Sequence, residues 1–241
     1  MIRTTLAASF LLLLPFLATA TDKEKKVEKL RVPAETQEIE GWAIEVDKRL
    51  LAGEHKALGD RALKMLQLQL GEIALMMPEQ QLEALRKVVI RLDYDHGSLK
   101  SAQYHPSPQW LSQNGFDSAL ARKVHISYAP RFASRGHHAT QPRVVLHELA
   151  HAYHHQVLRF SHRPLKEAYT AAVESGQYES VLHVNGHRTR HYALTNEKEY
   201  FAEGTEAYFG TNDFYPFVRS ELKEHDPRLH ELLVKIWGPL K

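Results

Sequence analysis

The sequence HELAH at residues 147–151 constrains the fold of this chain more than any other feature. Its two histidines are four residues apart, so on a helix their imidazoles lie on one face, ~5 to 6 Å apart, and can hold one metal ion. Glu148 is rotated by about 100° from His147 around the same helix, where it can take a proton from an attacking water. The pattern therefore predicts a helix that carries two metal ligands, His147 and His151, and a general base.

A pattern of five residues can also arise by chance on a surface helix. Here it follows the apolar run 144–146 and continues into Ala152 and Tyr153, which favours a helix that is partly buried in a core. The chain contains no cysteine, which excludes a disulfide framework and any thiolate ligand. A metal site in this chain must therefore use His, Asp and Glu side chains.

The overall charge of the chain does not identify a macromolecular partner. Lys and Arg number 31 and Asp and Glu number 29, so the net charge gives no field that would attract nucleic acid or an anionic membrane. We therefore expect no nucleic-acid partner. The sixteen histidines are more informative, because imidazole is the commonest metal ligand in proteins.

The first twenty residues have the pattern of an export signal. Arg3 is followed by an apolar run over residues 6–17 and by the small residues 18–20, which resemble a signal-peptidase cleavage site. The apolar run is too short to serve as a permanent anchor, since a membrane span needs about twenty apolar residues. We therefore expect residues 1–20 to be a signal peptide and the mature protein to be secreted or periplasmic, with no stable membrane anchor after signal removal.

The mature chain divides into a leader and one domain. Residues 21–40 are rich in charge and poor in large apolar side chains, which predicts a charged leader that acts as a solvated tether. Residues 41–241 then form a single domain. Its strand patterns begin at Trp42, at Val88 and at Val124, and the last of these is a candidate edge strand that could align an extended peptide.

Helical patterns alternate with these strands and then dominate the second half of the chain. They cover residues 58–73, the HELAH segment, 196–209 and 216–237, while residues 93–118 have the composition of a long loop. An Asn-Gly pair at residues 185–186 predicts a tight hairpin. The predicted fold class is α+β, with a twisted mixed sheet packed on the HELAH helix and a mainly helical C-terminal part.

A third metal ligand is expected downstream of the HELAH helix, because catalytic zinc usually has three protein ligands. Glu199, Glu203 and Glu206 are spaced at i, i+4 and i+7 and so share one face of the predicted helix. Glu197 is an alternative ligand, but it lies about 200° from Glu199 around the helix, so the two cannot both face the metal. Choosing Glu199 places all three spaced acids on the metal side.

HELAH together with the segment EYFAE at residues 199–203 resembles the gluzincin zinc metallopeptidases, most closely the catalytic domain of anthrax lethal factor and its relatives. The resemblance covers roughly residues 142–157 and 190–210. It implies a zincin-like domain over residues 41–241 that holds one Zn²⁺ ion, with Glu199 as the third ligand. It also implies that Glu203 orients a zinc-bound imidazole.

The resemblance further implies that Tyr192, seven residues before Glu199, supports the oxyanion of the reaction. The alternative is that Tyr192 is an aromatic residue of a strand packed on the core. Two related subclasses are excluded by substitutions in their motifs: Val157 stands where a third histidine would be needed, and Tyr208 stands where a ligand aspartate would be needed.

These observations predict a secreted zinc peptidase that hydrolyses a peptide or protein substrate with Glu148 as general base. Two other functions remain open from the sequence. One is an exported module that binds zinc and interacts with the cell envelope without catalysis. The other is a zinc amidase that acts on cell-wall amides by the same chemistry.

Overall fold

A hairpin begins the part of the chain that the computed structural model describes, residues 32–239. Strands β1 (Ala34–Ile39) and β2 (Trp42–Asp47) pair antiparallel around a two-residue turn, Glu40-Gly41, with positive φ angles of 54° and 87°. Such a turn matches the twist of the strands that it joins. The apolar side chains of β2 are buried on one side, as its alternation predicted.

This hairpin corrects the prediction that residues 21–40 form a solvated leader. Residues 34–39 are a strand at the sheet edge, and their many charged and polar side chains are suited to that position, because charge on an edge strand discourages pairing with other molecules. The signal-peptide prediction and the first part of the leader, residues 1–31, lie outside the described residues. The domain therefore begins before residue 41.

The sheet continues with β3 (Ile90–Leu92), β4 (Ala102–Tyr104) and β5 (Val124–Ile126) in the order β1-β2-β3-β5-β4. The pairs β2–β3 and β3–β5 are parallel, whereas β1–β2 and β5–β4 are antiparallel. The sheet is thus mixed, as predicted. The prediction of an edge strand at Val124 is wrong, because β5 lies inside the sheet and β4, which comes from the expected loop, covers it.

Helices account for most of the remaining chain and form most of the second half of the domain. They are α1 (Lys56–Met76), α2 (Glu79–Arg86), α3 (Pro108–Gln113), α4 (Ala129–Phe132), α5 (Arg135–Thr140), α6 (Val144–Tyr153), α7 (Arg163–Ser175), α8 (Glu197–Phe209), α9 (Arg219–His225) and α10 (Pro227–Trp237). The strands β6 (Val181–Leu182) and β7 (Arg188–Thr189) form the predicted hairpin, in which Gly186 has a φ of 84°. No helix within residues 32–239 is both long and apolar enough to cross a bilayer.

Helix α6 carries the HELAH sequence through the middle of the domain. It contacts β4 and β5 on one side and α8 on the other, and nearly all of its residues are buried. This burial agrees with the apolar residues that flank the motif. The architecture is mixed α/β and compatible with the predicted α+β class, and it places α6 between the sheet and the C-terminal helices.

Candidate metal centre

Helices α6 and α8 bring the two histidines of HELAH and one glutamate together. Nε2 of His147 lies 3.1 Å from Oε2 of Glu199, and Nε2 of His151 lies 3.2 Å from the same oxygen. The two imidazole rings are 4.7 Å apart and nearly perpendicular. We call these three residues, His147, His151 and Glu199, the cavity cluster.

The donor set of the cavity cluster fits a small divalent cation. Tetrahedral ligands at about 2.0 to 2.2 Å from a zinc ion would lie ~3.4 Å from one another, close to the two separations of the cluster. The donors are two imidazole nitrogens and one carboxylate oxygen, a common ligand type for catalytic metals. The cavity cluster could therefore hold a metal ion with little rearrangement.

The other nitrogen of His147 is oriented by a carboxylate of α8. Oε1 of Glu206 lies 2.6 Å from Nδ1 of His147, whereas Oε1 of Glu203 lies 3.7 Å from it. A carboxylate at this position holds the proton on Nδ1 and leaves Nε2 free to bind a metal. The residue in this supporting position is thus Glu206, where the resemblance pointed to Glu203.

The carboxylates around His147 determine its protonation. Burial alone would lower the pKa of His147, but hydrogen bonds to Glu199 and Glu206 outweigh burial and raise the pKa well above its usual value. Burial would likewise raise the pKa of Glu199, but hydrogen bonds from His147 and His151 lower it. Both pKa shifts have the same physical cause, the close approach of imidazoles and carboxylates in a buried site, and the negative charge of those carboxylates also favours a cation there.

The Glu148 carboxylate is not part of the cavity cluster and contacts the sheet. Its Oε2 accepts a hydrogen bond of 2.7 Å from the backbone N–H of Tyr104, the last residue of β4. The hydroxyl of Tyr104 in turn lies 2.7 Å from Nδ1 of His155, in the turn that follows α6. These contacts fix β4 against α6 and hold the Glu148 carboxylate at the wall of the cavity.

Tyr192 also lies at the cavity wall. It begins a short 3-10 helix just before α8, and 48% of its surface is exposed, so it is not an aromatic of the core. Burial and the neighbouring Glu199 carboxylate raise the pKa of its hydroxyl, which therefore remains protonated. Of the two interpretations left open by the sequence, the structure favours a position facing the site.

The chain matches no protein-family model, no curated protein and no solved structure.

The cavity that contains the cluster has a volume of about 620 Å³ and is bordered by β4 on one side. Its inner part is acidic, because Glu203, Glu206 and Asp213 all line it while each remains nearly buried. Burial and the adjacent Glu206 raise the pKa of Glu203 well above its usual value and that of Asp213 to about 7. Crowded carboxylates of this kind keep protons that isolated ones would lose.

Two contributors to this cavity were missed by sequence reasoning. Asp213 lies in the segment after α8, where it has no motif partner, and the edge strand β4 lies in the segment expected to be loop. Neither has a local signal, because both reach the cavity through the packing of distant segments. For Glu206 a signal existed, since it shares a helix face with Glu199.

Proposed function

We propose that this chain is a secreted zinc-dependent peptidase of the gluzincin type, with a zincin-like fold. The observation that carries the proposal is the geometry of the cavity cluster beside Glu148. Two imidazoles and a carboxylate converge at separations suited to zinc, and a second carboxylate that is not part of the cluster lines the same cavity. A purely structural site has no need of such a base and usually has four protein ligands.

When bound, zinc would polarise the scissile carbonyl and make water a better nucleophile at neutral pH. Glu148 would take the proton from the attacking water and pass it to the leaving amine. The N–H of Tyr104 occupies one carboxylate oxygen of Glu148, which leaves the other oxygen for this proton transfer. The protonated hydroxyl of Tyr192 would donate to the oxyanion that develops on the substrate.

The edge strand β4 is well placed to bind an extended peptide. Successive residues of a strand direct their backbone N–H and C=O groups to opposite edges, so residues two apart share an edge. The N–H of Tyr104 points away from β5 toward Glu148, and the N–H of Ala102 therefore points away from β5 as well. Ala102, Gln103 and Tyr104 all line the cavity. We therefore assign to β4 the peptide-aligning role that the sequence suggested for β5, in which main-chain pairing supplies affinity.

The experiment that tests this function is a substrate profile of the exported, zinc-loaded protein. Unstructured protein, short peptides and cell-wall fragments are offered to wild type and to Glu148→Gln, and zinc content is measured for both. We expect wild type to cleave peptide bonds and Glu148→Gln to lose about 10²- to 10⁴-fold in rate with unchanged zinc, because Glu148 transfers protons and does not bind the metal.

The other outcomes identify the alternatives. Cleavage confined to cell-wall fragments would favour the amidase, and zinc binding without hydrolysis of any substrate would favour the non-catalytic envelope module. An active Glu148→Gln variant would refute the proposed role of this residue.

A further inference from the structure

A second group of imidazoles and a carboxylate lies away from the cavity, where the parallel strands β3 and β5 end. Asp93 directly follows β3, His96 lies three residues later, and His125 is the middle residue of β5. One donor atom from each of these residues lies within 4.8 Å of the other two. We call Asp93, His96 and His125 the sheet-end cluster.

The backbone holds the sheet-end cluster in place. The N–H of Asp93 donates to the carbonyl of Ile126, and the N–H of His96 donates to the carbonyl of Ser127, both at 2.9 Å. Both residues are thus attached to the strand that carries His125. Donors held by sheet hydrogen bonds are positioned before any ligand arrives, which is what a metal site requires.

His96 provides the observation that points to a ligand. The side chain is buried, with 4% of the residue exposed, and its Nδ1 has no hydrogen-bond partner within residues 32–239. A buried polar atom without a partner is costly, and such atoms are few in folded proteins. A cation bound at Nδ1 would supply the missing partner.

Both ring nitrogens of His125 have a polar partner. Its Nε2 lies 2.8 Å from Oδ2 of Asp93, and its Nδ1 lies 3.2 Å from Nε2 of His105. With a cation at Nε2, the single ring proton of neutral His125 would lie on Nδ1 and would be donated to Nε2 of His105, which would carry its own proton on Nδ1. Metal-bound histidines commonly donate their second ring N–H in this manner.

The charges around Asp93 also permit a cation. Arg91 contacts only Oδ1 of the Asp93 carboxylate, at 2.6 Å, and leaves Oδ2 toward His125. A neighbouring cavity of about 370 Å³ is lined by three acids, Glu45, Asp93 and Asp117. It is also lined by two cations, Lys123, which is 2.6 Å from Glu45, and Arg91, so the acids exceed the cations by one. Asp93 and His96 line this cavity, so an ion and its water ligands have a route to the cluster.

We propose that Asp93, His96 and His125 form a second metal site, which takes a late first-row divalent cation such as Zn²⁺. Two imidazoles and a carboxylate are the donors that such ions accept, and no part of the inference rests on the proposed peptidase function. The ion would tie residues 93–96 to β5. It would thereby anchor the segment that leads into β4.

The test is the zinc stoichiometry of five versions of the exported protein after equilibration with Zn²⁺ and removal of weakly bound ions. We expect two ions per chain in wild type, one in His96→Gln, one in His151→Ala and none in the double variant. His138→Gln is the matched control for nonspecific binding by histidines, because His138 lies in α5 outside both clusters, and it should keep two ions. Two ions in His96→Gln, or one ion in wild type that His96→Gln retains, would overturn the proposal.

A second measurement keeps the proposal testable if His96→Gln does not fold. The His151→Ala protein, labelled with ¹⁵N in histidine, is titrated with Zn²⁺, and the expected result is a change at Nδ1 of His96 that saturates at one equivalent. An unchanged His96 signal would refute the second site. If wild type binds one ion, and His96→Gln loses it while His151→Ala keeps it, the second site is supported and the cavity cluster is not a zinc site. The proposed second site and the proposed peptidase site can therefore fail independently.

Discussion

The cavity cluster and the sheet-end cluster use the same donors, two imidazoles and one carboxylate, in different surroundings. In the cavity cluster, side chains of two helices converge on a space of about 620 Å³. In the sheet-end cluster, the donors are held by backbone hydrogen bonds to β5, and none of the three residues is more than 4% exposed. Open coordination space beside a base suits catalysis, whereas buried donors on a rigid sheet suit stability.

The two clusters also differ in the residue that contacts the second ring nitrogen of a histidine ligand. His147 is supported by the Glu206 carboxylate, which raises the electron density of the imidazole and so favours the binding of a cation at its other nitrogen. His125 is supported by the neutral imidazole of His105, whose pKa burial lowers to about 3. The comparison therefore predicts large catalytic effects for changes around the cavity cluster.

The largest effect is expected for the third ligand of the cavity cluster. Glu199→Ala should lose the zinc of this cluster and all measurable hydrolysis, because only two protein ligands would remain. Glu197→Ala is the matched control two residues away, and it should keep both zinc and activity, since Glu197 does not line the cavity. Zinc titration of both variants decides the point, and tight zinc in Glu199→Ala with loss in Glu197→Ala would reverse the assignment.

The next effect is expected at the cavity wall. Tyr192→Phe should keep zinc and fold but lower kcat by up to about 10²- to 10³-fold, the usual loss for one oxyanion donor. Tyr169→Phe serves as control, because its hydroxyl bonds to the carbonyl of Leu194 in the same short helix but not to the cavity. Steady-state kinetics and thermal unfolding are measured for both variants. If Tyr192→Phe loses stability while its kcat is unchanged, the role of Tyr192 is structural.

A smaller effect should separate Glu206 from Glu203. Glu206→Ala should weaken zinc at the cavity cluster by roughly 10- to 100-fold, because it removes the carboxylate that orients His147. Glu203→Ala should weaken zinc less, since its oxygen is 3.7 Å from the same nitrogen. Competition with a chelator of known affinity measures both, and the opposite ranking would assign the orienting role to Glu203.

The smallest effect concerns peptide alignment by β4. Ala102→Pro removes one N–H from the outer edge of the strand, and the loss of one hydrogen bond of about 0.5–1.5 kcal/mol should lower kcat/KM by roughly 2- to 10-fold. The decrease is expected with extended peptides and not with dipeptide substrates, which do not reach Ala102. Equal losses for both substrate lengths would mean that the substitution disturbs the site and not the pairing.

Much of the fold could be predicted from local patterns. The alternation at Trp42, the helical spacing over residues 58–73 and the Asn-Gly pair at 185–186 are each confirmed by the element that forms there. The strands β1 and β4 were missed for one physical reason. Both are edge strands with short or charged sequences, and they adopt extended structure because a neighbour pairs with them.

The sequence by itself determined which side chains share a helix face. The four-residue spacing of His147 and His151 places both on one side of α6, and Glu199, Glu203 and Glu206 lie within about 60° of one another around α8. Rotation around one helix axis follows from residue number alone. Residue spacing is therefore sufficient to identify these five side chains as candidates.

Only the tertiary structure decided which candidates meet. Glu203 and Glu206 lie on either side of Glu199 on one face of α8, and the crossing of α8 over α6 selects Glu206 for the contact with His147. The sheet-end cluster depends on tertiary structure still more, because the pairing of β3 with β5 joins residues 93 and 125. Contacts between elements depend on how helices and strands pack, and that packing is a property of the whole core.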